Sequence, residues 1–154
     1  MSVVESTELR FVLIAEEYLP AILEIEPEAY PEPWSAGMFR EEIDHPRSKF
    51  FVVLRRDEVI GYGGFWPVLD EAHVTSVTIR DTYRGLGYGR QLLQHILDAA
   101  KRDGAVTATL EVRESNMTAR NLYESFGFAN VGRRKRYYPK TDEDALIMTK
   151  QLGD

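Results

Sequence analysis

The sequence predicts an α+β protein in which one sheet of about seven strands carries helices on both of its faces. Two kinds of pattern support this prediction. Short β-branched or alternating runs indicate strands, and stretches with apolar residues at helical spacing indicate helices. In chain order these patterns give the succession β-α-α-β-β-β-α-β-α-β-β, and nothing in it resembles a linker, so residues 1–154 are expected to form a single domain.

The first predicted strand covers residues 9–14, and the first predicted helix covers residues 16–28. Pro20 falls in the first turn of that helix, where proline is tolerated. One face of the helix combines three apolar residues with a carboxylate, namely Leu19, Ile22, Leu23 and Glu26.

A second helix is predicted to begin after a loop that contains two prolines and to end near Asp44. Ser35 is placed to cap its N-terminus. Trp34 precedes this cap and Phe39 follows it, which is the spacing of a hydrophobic staple.

Six further strands are predicted, at residues 49–55, 59–66, 71–80, 106–112, 128–138 and 145–152. Between them, one helix ends at Gly104, and another begins at Asn116 or Thr118 and ends at Gly127. Gly61, Gly63 and Gly64 are poor strand residues, so they indicate a β-bulge or a closely approaching ligand.

The stretch from Ser76 to Leu93 combines a strand end, three glycines at positions 85, 87 and 89, and the start of an amphipathic helix. Such an arrangement can bind an anion, because unpaired N–H groups of the first helical turn point toward it. A phosphate or pyrophosphate ligand is therefore expected, and a tight turn without a ligand is the alternative. The loop lacks the Gly-Lys-Ser/Thr ending of a Walker A motif and the spacing of a dinucleotide fingerprint.

Composition excludes several classes of protein and site. The chain has no cysteine, which rules out disulfides, a cysteine nucleophile and thiolate zinc sites, and its three histidines are scattered, so no metal is expected. A net charge of −6 argues against general nucleic-acid binding. No apolar run is long enough to span a membrane, and residues 1–10 lack a signal-peptide core, so a cytoplasmic protein is expected.

A carboxylate and a phenol provide candidate acid–base chemistry. The strand over residues 106–112 alternates strictly, with Val106, Ala108, Leu110 and Val112 on one face and Glu111 on the other. Tyr123 follows on the next helix. A glutamate can accept a proton from an amine, and a tyrosine can donate one to a leaving thiolate. Alternatively, Glu111 pairs with Arg113 or Arg120, and Tyr123 is a core aromatic residue.

Two segments resemble a known family. The glycine stretch Arg84-Gly85-Leu86-Gly87-Tyr88-Gly89 resembles the pyrophosphate loop of the GCN5-related N-acetyltransferases (GNAT). The segment from Leu110 to Phe128 closely resembles the one that follows this loop in the RimI-type enzymes, which acetylate the N-terminal alanine of a ribosomal protein. Further matches lie at Pro33-Trp34-Ser35, Asp70-Glu71-Ala72, Tyr137-Tyr138-Pro139 and Asp144 to Met148.

The resemblance implies a fold, a coenzyme and a set of site residues. The fold would be the GNAT fold with a mixed, mostly antiparallel sheet, and the co-substrate would be acetyl-CoA, without a metal. Glu111 would be the general base and Tyr123 the general acid. The coenzyme would contact Val77, Thr78, Ile79, Arg84, Gly85, Leu86, Gly87, Tyr88, Gly89, Arg90, Asn116 and Tyr123.

The resemblance also implies that Trp34, His73 and Tyr138 line the acceptor site. Residues 72–76 depart from the bacterial pattern and resemble archaeal and eukaryotic N-terminal acetyltransferases, which makes His73 a second candidate base. Asn116 has a structural alternative as a helix N-cap.

The expected acceptor is the N-terminal amine of a protein, and a ribosomal protein is one expected substrate. Attack requires a neutral amine, and an α-amino group with a pKa of ~8 is neutral far more often near pH 7.5 than a lysine with a pKa of ~10.4. Because cysteine is absent, direct transfer in a ternary complex is the simplest route. The alternatives are acetylation of a small-molecule amine and a non-catalytic acetyl-CoA-binding subunit.

Overall fold

The computed structural model describes residues 9–153, and within them it contains seven strands, four α-helices and two 3₁₀ turns. Residues 1–8, on which part of the signal-peptide argument depends, lie outside this range. The strands are β1 Leu9–Leu13, β2 Lys49–Arg55, β3 Glu58–Val68, β4 Glu71–Ile79, β5 Thr107–Arg113, β6 Ala129–Tyr138 and β7 Glu143–Gln151. The helices are α1 Leu19–Ala29, α2 Ala36–Asp44, α3 Tyr88–Arg102 and α4 Met117–Ser125.

All seven strands belong to one sheet with the order β1-β2-β3-β4-β5-β7-β6. Every neighbouring pair is antiparallel except β4 and β5, which are parallel. The predicted α+β class, the element order and the mixed, mostly antiparallel sheet are therefore confirmed.

Two predicted elements differ in detail from the structure. The first predicted helix opens with a 3₁₀ turn at Glu16–Tyr18, and α1 then runs to Ala29 with Pro27 in its last turn. Val106 was assigned to the buried face of its strand, but it precedes β5 and is 49% exposed. Its N–H donates to the Asp70 carbonyl and its own carbonyl accepts from Leu152, so Val106 bridges two loops instead.

The capping prediction for α2 is confirmed. The Ser35 hydroxyl accepts a hydrogen bond from the Met38 N–H at 3.2 Å. The ring centroids of Trp34 and Phe39 lie 5.2 Å apart, as a hydrophobic staple requires. The staple fixes the angle at which the loop before α2 enters the helix.

Two hydrophobic cores lie on opposite faces of the sheet. The larger one packs α3 and α4 against inward-facing residues of all the strands from β1 to β5 and of β7. The smaller one packs α1 and α2 against β1, β2 and β3. In the part of the chain that the structure describes, no residue of β5, β6 or β7 belongs to this second core, so the polar face of these strands is left without a helix.

The sheet divides between β4 and β5. These strands pair only at Glu71–Thr107, Ala72–Ala108 and His73–Thr109, although both continue well beyond. A β-bulge directly follows, because the register of β3 against β4 shifts between Gly64 and Phe65. Bulges bend a strand and increase its twist, so this one turns β4 away from β5 and opens a V-shaped cleft.

Candidate active site

The edge of β4 that faces this cleft holds three of the predicted coenzyme contacts. Val77 is half-buried, whereas Thr78 and Ile79 are buried, with exposed fractions of 2% and 8%. Their side chains point into the two cores, and the Thr78 hydroxyl bonds to Tyr30. Any contact of Thr78 and Ile79 with a ligand in the cleft must therefore come from backbone groups.

The bulged region of β3 explains the glycines that the sequence singled out. A Cβ atom at Gly61 would collide with the Thr78 carbonyl, and one at Gly63 would collide with the Ser76 carbonyl. Glycine at these positions lets β3 approach β4 closely. Of the two predicted explanations, a bulge or a close ligand, the bulge is observed between Gly64 and Phe65. The close packing of the β3 and β4 backbones is a further reason, which was not predicted.

The glycine loop has the geometry of an anion cradle. Gly85 and Gly87 adopt left-handed φ angles of 77° and 84°, and an added Cβ at either would meet nothing within 4 Å. Gly87 is the N-cap of the fifteen-residue helix α3 and supplies no side chain to its first turn. The N–H groups of the first turn therefore face open space at the positive end of the helix dipole.

The side chains of this loop divide between inward and outward positions. Leu86 is exposed, whereas Tyr88 is buried in the larger core and can offer a ligand only its backbone N–H. Arg84 pairs with Asp81 at 2.7 Å and donates to the Ile79 carbonyl at 3.1 Å. Arg90 donates to the Ser125 hydroxyl, which anchors its guanidinium on α4.

Glu111 lies on the helix-free face of β5, beside the vertex of the cleft. Its carboxylate pairs with the guanidinium of Arg134 at 3.2 Å, which differs from both partners considered for it, Arg113 and Arg120. Arg134 is 58% exposed, so this pair contributes little to stability and leaves the carboxylate accessible. Burial raises the pKa of the Tyr137 hydroxyl, and the nearby Glu111 carboxylate raises it further.

Tyr123 lies on α4 and packs against Phe128. Its ring is buried in the larger core, and burial raises the pKa of its hydroxyl, with a further rise from the nearby phenols of Tyr30 and Tyr138. Burial is likewise the largest cause that raises the pKa of Tyr138 to about 12. These hydroxyls therefore keep their protons at neutral pH.

Arg113 connects the segments around Tyr138. It lies at the end of β5, two residues after Glu111, and its guanidinium stacks on the Tyr138 ring at 3.8 Å. It also pairs with Glu32 from the loop between α1 and α2 at 3.6 Å and with Glu143 at the start of β7 at 3.7 Å. With only 12% of its side chain exposed, Arg113 is a fixed element of the site.

The loop between α1 and α2 contacts the turn between β6 and β7. The Glu32 carboxylate accepts a hydrogen bond from the Lys140 backbone N–H at 2.7 Å, and the Pro31 carbonyl accepts one from the Lys140 ammonium at 3.1 Å. These contacts span more than a hundred residues of sequence. They join the loop before α2 to the turn that follows β6.

Three other predicted residues have structural partners. Asn116 caps α4 by accepting from the Ala119 N–H at 3.2 Å, as the structural alternative predicted. The Trp34 ring packs against the rings of Phe39 and Phe50. His73, the last residue of β4 paired with β5, bonds to Glu71 at 3.0 Å.

Sequence reasoning missed Glu32 and the connecting role of Arg113. It also gave no partner for Glu26, whose carboxylate stands on the otherwise apolar face of α1 and accepts from the Tyr62 hydroxyl and the Trp34 N–H. Between residues 9 and 153, no group of three or more histidine, cysteine or acidic side chains is arranged to hold a metal ion. Nor is any helix in this range long and apolar enough to cross a bilayer.

Residues 19–128 match the acetyltransferase (GNAT) family. The chain belongs to this family. It is therefore an acetyltransferase, and the family predicted from the glycine loop and the Leu110–Phe128 segment is confirmed. The GNAT fold is confirmed with it.

Individual relatives agree with this assignment. The [ribosomal protein bS18]-alanine N-acetyltransferase of Escherichia coli K12 is 39% identical over 132 residues, which cover 84% of this chain and 88% of the relative. The crystal structure of the ribosomal-protein-S18-alanine N-acetyltransferase from Escherichia coli superposes with a TM-score of 0.86 at 34% identity, covering 96% of both chains. The NatC complex bound to Gag peptide and CoA shares the fold, with a TM-score of 0.81 at 22% identity over 94% of this chain and 98% of that one.

Proposed function

We propose that this protein transfers the acetyl group of acetyl-CoA to the N-terminal amine of a protein substrate, by direct attack in a ternary complex. The observation that carries the proposal is the cleft between β4 and β5. The strands part after the pair His73–Thr109; Glu111 follows two residues later on β5, and β4 continues toward the glycine loop with Gly85 and Gly87. The whole chain, residues 1–154, acts as one N-acetyltransferase domain.

The cradle and the β4 edge fit the two ends of a coenzyme A molecule. Open space at Gly85 and Gly87 and the free N–H groups of the first turn of α3 suit a pyrophosphate. Beyond His73, the backbone of β4 makes no strand pairing with β5 in the described chain, so it can hydrogen-bond an extended pantetheine arm like an added strand. Acetyl-CoA then supplies the thioester carbon that the amine attacks.

Glu111 and Tyr123 divide the proton transfers. Glu111 accepts the proton that the attacking amine loses, directly or through a water. Tyr123 returns a proton to the leaving thiolate, since burial raises its pKa and keeps the hydroxyl protonated. One proton leaves the nitrogen for Glu111 and one reaches the sulfur from Tyr123; solvent then takes the proton from Glu111 and returns one to Tyr123, so both residues are restored and the reaction balances.

The acceptor side favours a peptide terminus. Arg113, two residues after Glu111 on β5, stacks on Tyr138 and pairs with Glu32, and we expect an extended peptide to lie along these residues. The relatives that share 39% identity act on the N-terminal alanine of ribosomal protein bS18, which supports a ribosomal-protein substrate here. Such a substrate places the reaction in the cytoplasm.

Mass spectrometry of two matched peptides tests this function. One peptide has a free α-amine and no lysine, and the other is blocked at its N-terminus and carries a free lysine. With purified protein and acetyl-CoA, the first peptide is expected to gain one acetyl group much faster. Faster acetylation of the blocked peptide would contradict the proposal.

A further inference from the structure

Three arginines flank the glycine loop, and each is engaged by a group of the protein itself. Arg80 precedes the loop and pairs with Glu24 of α1 at 3.5 Å. Arg90 lies in the first turn of α3 and donates to the Ser125 hydroxyl at 2.7 Å. Arg84 directly precedes the first of the left-handed glycines. The partners of Arg84 therefore determine how much positive charge the cradle offers to a pyrophosphate.

Asp81 holds the Arg84 guanidinium on the turn that both residues belong to. The Asp81 carboxylate lies 2.7 Å from Nη1 of Arg84, and Nε of Arg84 donates to the Ile79 carbonyl at 3.1 Å. About half of each side chain in the ion pair is exposed, with fractions of 50% for Arg84 and 54% for Asp81. An ion pair this exposed contributes little to the stability of the fold.

The turn itself does not depend on the Asp81 carboxylate. It is a 3₁₀ turn over Asp81–Tyr83, and its hydrogen bonds join backbone groups. The Tyr83 N–H donates to the Arg80 carbonyl at 2.9 Å, and the Arg84 N–H donates to the Asp81 carbonyl at 3.2 Å. Asparagine has the shape of aspartate without its charge, so Asp81→Asn changes the charge beside the cradle and leaves these bonds in place.

A carboxylate at this position weakens the binding of an anion. Asp81 contacts Arg84, the residue next to Gly85, so it lies within the ~10 Å over which charges interact at 0.1 M salt. It repels a pyrophosphate in the cradle, and it offsets the attraction of the Arg84 cation for the same group. Both effects act in the same direction.

We propose that Asp81 is a positioning residue that keeps the Arg84 guanidinium on its own turn and lowers the affinity of the cradle for the coenzyme. The pyrophosphate is then bound by backbone N–H groups, and coenzyme A leaves readily after the transfer. Acetyl-CoA carries the same pyrophosphate, so its affinity is lowered by the same factor. This inference rests on the proposed function, because it takes the Gly85–Gly87 cradle as the pyrophosphate site.

The affinity of Asp81→Asn for coenzyme A tests the proposal by the sign of its change. We expect this variant to bind coenzyme A about fivefold more tightly than wild type at low salt, because one negative charge is removed and Arg84 can contact the pyrophosphate. A carboxylate that only supported the structure would weaken binding when it is removed. The gain should shrink at ~1 M salt, where charges are screened within ~3 Å.

Two further variants separate the parts of the proposal. Asp81→Asn/Arg84→Gln should return to about the wild-type affinity, because the released guanidinium is then absent. Asp103→Asn makes the same change of charge at the C-cap of α3, roughly 22 Å from the cradle along a fifteen-residue helix, and should leave the affinity unchanged.

Calorimetric titration with coenzyme A alone measures all of these affinities, and thermal melting checks that each variant is folded. Asp81→Ala is a second variant that should show a similar gain. Unchanged or weaker binding by both Asp81 variants would overturn the inference. So would an equal gain in Asp103→Asn, or a gain that persists in full in the double variant.

The titration contains no acceptor amine, so it does not depend on which amine the protein acetylates. A failure of the proposed function would appear in the peptide assay of the wild-type protein, as a preference for an acceptor other than an N-terminus. A failure of the inference would appear only in the affinities of the variants for coenzyme A. The two failures are therefore distinguishable.

Discussion

Gly87 and Gly104 form a matched pair at the two ends of α3. Gly87 is its N-cap with a φ of 84°, and Gly104 follows its C-terminus with a φ of 95°. An added Cβ would meet nothing within 4 Å at either position. Replacing each by alanine therefore imposes the same kind of backbone strain without a steric collision, but only Gly87 lies in the proposed pyrophosphate cradle.

The expected magnitudes follow from this geometry. Moving an L-residue into the left-handed region costs roughly 1–2 kcal/mol, which in a protein of this size corresponds to a fall in Tm of about 2–8 °C. Both Gly87→Ala and Gly104→Ala should show this fall in Tm. Gly87→Ala should in addition weaken coenzyme A binding about tenfold or more, since its methyl group occupies the space the anion approaches.

Calorimetric titration with coenzyme A and thermal melting measure the two effects separately. Gly104→Ala should bind coenzyme A with wild-type affinity despite its lower Tm. If Gly87→Ala also binds with unchanged affinity, the loop is only a turn and the cradle assignment is wrong. Equal losses in both variants would point to general destabilisation instead.

Two further predictions concern acid–base chemistry and the acceptor site. Glu111→Gln should reduce the rate by ~10²–10⁴ near pH 7, and this deficit should shrink toward pH 9 as solvent deprotonates the amine. Tyr123→Phe should remain defective at pH 9, because burial raises the pKa of the phenol and the wild-type hydroxyl still has a proton to donate at that pH. A pH–rate profile of both variants measures this, and loss of activity in His73→Ala with an active Glu111→Gln would move the base to His73. Arg113→Ala should raise the peptide KM about tenfold with an unchanged KM for acetyl-CoA, because the cation that holds Glu32 and Tyr138 is lost. Arg133→Ala, which removes only exposed ion pairs, is the control, and equal peptide KM values for the two would contradict a role for Arg113.

The order of the elements could be predicted because local patterns determine it. The Ser35 cap, its staple and the amphipathic stripe of α3 each depend on residues within a few positions of one another. Val106 was misplaced for the opposite reason. Strict alternation continued through it, but its hydrogen bonds to Asp70 and Leu152 come from distant loops that a local pattern does not contain.

The residues of the candidate site could be predicted only where they lie within a recognisable motif. The glycine loop, Glu111 and Tyr123 lie in segments with a recognisable resemblance, whereas the partner of Glu111 depends on the register of β6 against β7. Arg134 on β6 reaches Glu111 on β5 across the one intervening strand, β7, so the sequence pointed to nearer arginines instead. The Glu26 carboxylate on the apolar face of α1 was a visible anomaly, but its donors, the Tyr62 hydroxyl on β3 and the Trp34 N–H, come from other segments that a local pattern does not contain.

The gap between β4 and β5 also affects the resistance of the protein to proteolysis. It creates two strand edges inside the sheet, and such edges invite pairing with other chains. Here β4 and β5 pair at His73 and Thr109, so the gap between their edges narrows to that point. A single extended segment fits between the two edges, whereas a second sheet does not. A ligand that pairs with these edges binds the native state alone and adds ~2.7 kcal/mol to the free energy of unfolding at a hundred times its Kd. Resistance to proteolysis should therefore rise and fall with the supply of the coenzyme.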